Sequence, residues 1–130
     1  MSSYILDKAY AIEDATGVGA YLAVVQGTGA GGAKLPGAAN AGAILGVTVH
    51  SQSLAGANVA VRKAGIARVK AAGVIALGAP VNVAGTSGKV KAIDEAQGTK
   101  INCLGFAETA AGADGDVIEV FIALHERTAP

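Results

Sequence analysis

Glycine decides the architecture of this chain before any other residue does. Nineteen glycines are spread along 130 positions. They interrupt almost every candidate helix within about ten residues, at a cost near 1 kcal/mol each. What survives between them has period two. The runs 20–26 (AYLAVVQ), 43–49 (AILGVTV), 58–63 (NVAVRK), 66–71 (IARVKA), 73–84 (GVIALGAPVNVA), 89–93 (KVKAI), 101–107 (INCLGFA) and 117–124 (VIEVFIAL) are short, rich in branched residues and bounded by turn residues. Such spacing predicts a mainly β chain: a compact single-domain β-barrel or β-sandwich of about eight short strands, with little helix.

Individual runs sharpen this. In 66–70 the cations Arg68 and Lys70 share one face while Ala67 and Val69 share the other, as a strand with one wet side requires. Run 117–124 carries one charge, Glu119, and apolar residues on both faces, and reads as a central or doubly covered strand. Thr86-Ser87-Gly88 fits a hairpin turn with Gly88 at positive φ. Pro80 cannot donate to a ladder, so 74–83 reads as two short strands or one strand bent there. Two stretches look weakly alike: Leu45-Gly46 leading to Val59-Ala60-Val61, and Leu104-Gly105 leading to 117–120.

A core is within reach. Val, Ile, Leu and Phe supply 33 residues, above the roughly 20 % below which disorder is expected. With 29 alanines, however, that core is thin, and association is expected to add to its stability. Ten basic residues balance ten acidic ones, which disfavours a dedicated nucleic-acid binder. The acidic N-terminal stretch does not resemble a secretory signal, and no uncharged run escapes Gly, Pro, Asn or Ser long enough to suggest a membrane span. No Asp or Glu occurs between Asp14 and Asp94, an interval holding Arg62, Lys63, Arg68 and Lys70. These are either solvated strand faces or a basic patch that meets acids on a neighbouring subunit.

Motifs for chemistry are weak. Gly27-Thr28-Gly29-Ala30-Gly31-Gly32 matches G-x-G-x-x-G, but Pro36 and Gly37 stop any helix that would hold a pyrophosphate, so a flexible glycine loop is expected. His50 and His125 lack a nucleophile elbow, and His125-Glu126 sits where fraying is expected. Cys103 reads as a small buried hydrophobe. Asp114-Gly115-Asp116 reads as a turn, since the calcium-loop pattern is absent. No catalytic, metal or cofactor site is expected.

The order of these segments resembles the capsid cement (head decoration) proteins of tailed bacteriophages. The matching part runs over about 21–122, from AYLAVVQG through GVTV, AGANVAV, GIARVKAAGVIALGAPVNV and GKVKA to GFAETAAGADGDVIEVFI. The resemblance implies a non-enzymatic β-barrel-like virion protein, made in the host cytoplasm and bound to the capsid exterior. Its partner would be the major capsid protein, and its own state a homo-oligomer, with a trimer favoured. It further implies an N-terminal arm, residues 1–19, ordered only on binding and anchored by Tyr4, Ile5 and Leu6. A β domain over 20–125 and a tail over 126–130 would follow. Two rivals remain: a tail-tube or baseplate subunit, and a small trimeric β-fold enzyme such as a nucleotide hydrolase.

Overall fold

The computed structural model describes residues 5–130, and all of their regular secondary structure is β. Ten strands follow one another: β1 (Leu6–Ile12), β2 (Ala23–Gln26), β3 (Gly32–Lys34), β4 (Ile44–Thr48), β5 (Asn58–Ala64), β6 (Ile66–Lys70), β7 (Pro80–Val83), β8 (Val90–Ala92), β9 (Lys100–Ala107) and β10 (Val117–Thr128). The first five close a barrel in the order β1-β3-β2-β4-β5, with β1 and β5 sealing it. The last five form an open sheet in the order β6-β10-β9-β7-β8. Only β1 and β3 run parallel.

Tyr10, Ile12, Val24, Val59 and Val61 fill the barrel. A second cluster joins Ala23 and Val47 of the barrel to Val69, Val81, Leu104 and Val120 of the open sheet. One face of that sheet is therefore packed against the barrel wall. On β2 the neighbours Ala23 and Val24 enter different clusters, as alternation along a strand demands. The alanine-rich composition finds its use at this seam, where Ala23, Ala67, Ala71, Ala107 and Ala111 are all buried. Thr48 is buried there too, its hydroxyl donating to the Gly19 carbonyl (2.8 Å) and accepting from the Leu22 N–H (3.1 Å).

The two look-alike stretches are both antiparallel hairpin pairs, β4 with β5 and β9 with β10. In each, the glycine after the leucine lets a partner carbonyl come close. A Cβ on Gly46 would stand less than 3.0 Å from the Arg62 carbonyl oxygen, and one on Gly105 equally close to that of Phe121. The 86–88 turn is as expected, with Gly88 at φ 80° joining β7 to β8.

The structure departs from the sequence reading in five places. The boundary after residue 19 does not set an arm apart from a barrel, because β1 pairs with β3 and β5, and Tyr10, Ile12 and Val18 are buried. The tail proposed for 126–130 is the end of β10, and Ala129 packs with Ile101 and Cys103. Strand β3 lies partly in the expected flexible glycine loop. Of 74–83 only Pro80–Val83 is a strand, and Val74 to Leu77 lie in a loop. Finally, β10 is central but covered on one face only: Ile118, Val120 and Ile122 point inward, while Val117, Glu119 and Phe121 face solvent.

Candidate interaction surface

Both phenylalanines of this chain lie outside its buried core. Strand register explains where they go. Ile66 on β6 stands opposite Phe121 on β10, Phe121 opposite Phe106 on β9, and Phe106 opposite Pro80 on β7. Directly opposed residues place their Cβ atoms about 4.5–5.5 Å apart. The four side chains thus form a transverse apolar row across four strands, with Phe121 47 % and Ile66 41 % exposed.

Polar groups flank the row. The His125 ring stacks on Phe106, with centroids 5.0 Å apart and 7° between planes. Arg127 places its guanidinium carbon 5.6 Å from the same ring, a cation–π contact, and its Nε donates to His125 Nε2 at 3.1 Å. His125 Nδ1 sits 2.7 Å from the Ala123 carbonyl oxygen and is the donor there. His125 is therefore held in a strand, where fraying was expected.

The four candidate basic residues separate. Arg62 is satisfied within the chain: Nε donates to Asp7 Oδ1 at 2.9 Å and Nη2 to Oδ2 at 3.2 Å, which raises its pKa, and Nη1 donates to the Ile66 carbonyl of β6 at 3.2 Å. Lys63 Nζ donates to the Tyr10 hydroxyl (2.7 Å) and lies 5.3 Å from its ring centroid. Arg68 stands opposite Glu119 and Lys70 opposite Val117, beside the apolar row. Arg68, Lys70 and Arg127 make no ion pair among the described residues. Arg62 and Arg68 meet only as walls of an open groove of about 270 Å³ between barrel and sheet, which Tyr21 and Thr48 also line. Of the expected anchors, Tyr4 lies outside the described residues, and Ile5 and Leu6 are exposed where β1 begins.

The remaining candidates are structural. The glycine loop is fixed by a carboxylate of the chain itself. Glu13 Oε1 accepts from the Thr28 N–H (2.9 Å) and hydroxyl (3.0 Å), and Oε2 from the Gly29 N–H (3.3 Å). The Thr28 backbone bond is the main reason its carboxyl is held below the ordinary value. Side chains at Gly27 or Gly32 would collide with it. A cradle of backbone donors suited to a phosphate is thus already filled. Asp116 Oδ2 accepts from the Gly112 and Ala113 N–H groups, which makes 112–116 a turn. His50 Nε2 accepts from the Ala60 N–H (3.3 Å). Cys103 is buried, and desolvation pushes its thiol pKa up, away from the reactive thiolate. Among the described residues no three His, Cys, Asp or Glu side chains gather as metal ligands would.

Sequence reasoning missed Phe106, Phe121, His125 and Arg127 as surface residues. The signal was present in run 117–124, whose apolar residues on both faces announce an apolar outer surface as readily as a second covering layer.

No family model matches this sequence, and no curated protein matches it. A solved structure does: the N base of head fiber gp8.5 from bacteriophage phi29 superposes with a TM-score of 0.63. The match covers 92 % of this chain and 95 % of that one at 18 % identity. At that identity the likeness is one of fold, and it extends over almost the whole of both chains.

Proposed function

We propose that this chain is a structural protein of a tailed-phage virion that binds the outer surface of the capsid and reinforces contacts between major capsid subunits. It acts by adhesion and catalyses no reaction. The observation that carries the reading is the fold shared, end to end, with the base of a phage head fiber. Fold does not dictate function, and the surface adds support to the reading. The chain devotes both its phenylalanines to an outer sheet face whose cations Arg68, Lys70 and Arg127 make no ion pair among the described residues, while its glycine cradle is filled by Glu13. Many copies on a lattice turn modest single contacts into large total stabilisation.

The test is addition of the purified full chain to tailed-phage capsids lacking it. Sedimentation of the chain with the particles, outer-surface density in a particle map, and raised resistance of the shell to heat are expected. Free capsids and free protein that sediment apart would refute the proposal, and long self-assembled tubes would favour the tail-tube reading.

A further inference from the structure

We propose that the free edge of β6 takes up a short extended segment of the shell subunit by strand addition, in the groove between β6 and the barrel wall. This rests on the capsid-binding reading and names a contact through which it acts.

The ladder fixes where the backbone groups of β6 point. Glu119, opposite Arg68, spends its main-chain groups on the far side of β10: its carbonyl accepts from the Glu108 N–H (2.7 Å), and its N–H donates to the Thr109 hydroxyl (3.0 Å). Ile122 instead donates toward β6, to the Gly65 carbonyl (2.9 Å). Such directions alternate along an antiparallel pair. Ala67 and Val69 therefore face β10, while Ile66, Arg68 and Lys70 turn their N–H and C=O groups outward. Two of these outward groups have partners: the Lys70 N–H donates to the Tyr21 carbonyl (2.8 Å), and the Ile66 carbonyl accepts from Arg62 Nη1 (3.2 Å). The Arg68 N–H and C=O and the Ile66 N–H make no hydrogen bond among the described residues. The opposite edge of the sheet is covered by the chain itself, since the Val90 carbonyl of β8 accepts from the Ala72 N–H (2.8 Å) and Ala71 bridges to Val90. An edge left open is a template for another strand.

The space beside β6 has the width of a strand. Tyr21 spans it alone: its N–H donates to the Thr48 carbonyl (2.9 Å), and its own carbonyl accepts from Lys70. At that point β4 and β6 lie two hydrogen-bonded steps apart, about 9.5 Å at the usual strand spacing. Tyr21 thus stands where an intervening strand would run, and it does so at φ 63°, a conformation that is costly for a residue other than glycine. Beyond Tyr21 the gap continues as the groove of about 270 Å³, with Val47, Thr48 and Val49 on one wall and Ile66, Ala67 and Arg68 on the other.

Chemistry selects a polypeptide backbone for it. Asp7 neutralises Arg62, which leaves Arg68 and Glu119 at the groove, one charge of each sign. Neither an anion nor a cation is preferred there, whereas unmatched N–H and C=O groups in strand geometry suit another extended main chain. A second copy presenting its own β6 antiparallel and centred on Arg68 would set arginine directly against arginine, which is destabilising. In a groove of this size, the side chains that the segment turns toward Val47 and Thr48 must be small.

Hydrogen–deuterium exchange of the full chain, free and on tailed-phage capsids lacking it, tests this. The Ile66 and Arg68 amides should exchange fast in the free chain and roughly tenfold or more slower on the capsid. Two variants separate main chain from side chain. Arg68→Pro removes an outward N–H at an edge, where proline is tolerated, and should weaken capsid binding roughly tenfold or more. Arg68→Thr keeps that N–H and a side chain suited to a strand, and should bind within about threefold of the wild type. Circular dichroism checks the folding of both, and if Arg68→Pro does not fold, the exchange result and Arg68→Thr decide. Bound chain whose Ile66 and Arg68 amides stay fast, a folded Arg68→Pro that binds like the wild type, or an Arg68→Thr as weak as expected for Arg68→Pro would each overturn the proposal and leave the capsid-binding reading standing. Slowing that appears in the free chain as its concentration rises would put a second copy at the edge and overturn it as well. A chain that does not bind capsids would refute both.

Discussion

The barrel and the open sheet are built from the same kind of hairpin and end in opposite conditions. In the barrel, β4 and β5 belong to a closed ring, so no strand edge is left over. Its polar groups find partners inside the chain as well: Arg62 takes Asp7, Lys63 takes Tyr10, and Glu13 fills the glycine cradle. In the sheet, β9 and β10 repeat the Leu-Gly device, yet the sheet stays open: its inner face packs on the barrel, and its outer face is covered around Ile101 and Cys103 but not along the phenylalanine row. Its outer face keeps two phenylalanines, the carboxylates Glu108 and Glu119, and three cations that make no ion pair among the described residues. A chain this poor in large side chains thus shares one core between the halves, while the barrel satisfies its polar groups internally and the sheet leaves an apolar row exposed.

If the two hairpins are equivalent, their glycines should be equally indispensable. Gly46→Ala and Gly105→Ala each force a Cβ into a partner strand's backbone carbonyl, and Gly46 also has φ 154°. Both strands are pinned on two sides, so relief requires moving backbone. Each substitution is expected to cost more than about 4 kcal/mol, visible as loss of the folded fraction in thermal unfolding. Tolerance at one site but not the other would break the equivalence.

Next in size are the cores. Ile12→Ala empties the barrel interior and Leu104→Ala the seam between barrel and sheet, and both side chains are fully buried. Each should lose about 2–5 kcal/mol in urea denaturation. A single transition that shifts by similar amounts for both would show that the halves melt together. Two transitions, each answering to one variant, would show that they are separate cooperative units.

The parts legible in the sequence were those whose causes are local. Glycine spacing and period-two alternation mark β6 and β10, and the Thr86-Ser87-Gly88 turn marks the β7–β8 hairpin. β1 and β3 escaped because their cause is distant. Gly32-Ala33-Lys34 has no strand pattern of its own and is extended because β1 and β2 flank it. β1 exposes Leu6, Asp7, Lys8 and Ala9 and buries only its end, so its pattern looks like that of a free arm. The exposed row escaped for a related reason. Alternation tells which residues share a face, while covering of that face depends on whether a second layer exists.

Acid should weaken the barrel through Glu13. Glu13 joins the end of β1 to the β2–β3 turn, with Lys34 as the nearby cation and no hydrogen bond to another acid. Its carboxyl titrates below the ordinary value of 4.5, so it contributes stability above that pH. That contribution disappears as pH falls through the lowered folded value. Glu13→Gln should therefore reduce the melting temperature at pH 7, by less than the cavity variants do, and flatten its fall between pH 5 and 3. Unchanged acid sensitivity in Glu13→Gln would place the response elsewhere, Asp94 being another carboxylate held below its ordinary value, by the Lys91 ammonium.

The smallest effect on folding belongs to the outer face. Phe121→Thr keeps a side chain suited to a strand and removes an aromatic ring that the monomer leaves 47 % exposed. Ile66→Thr does the same one strand away, at the position opposite it. With little area lost to the core, each should change stability by no more than about 0.5 kcal/mol in dilute solution, where association is absent. The contrast with Leu104, on the adjoining strand but facing inward, isolates facing direction as the variable. If Phe121→Thr proved as costly as Leu104→Ala at a dilution where the wild type is monomeric, the ring would have to be supporting the monomer's own fold, and the contrast between the barrel and a sheet with an exposed apolar row would fail at its central residue.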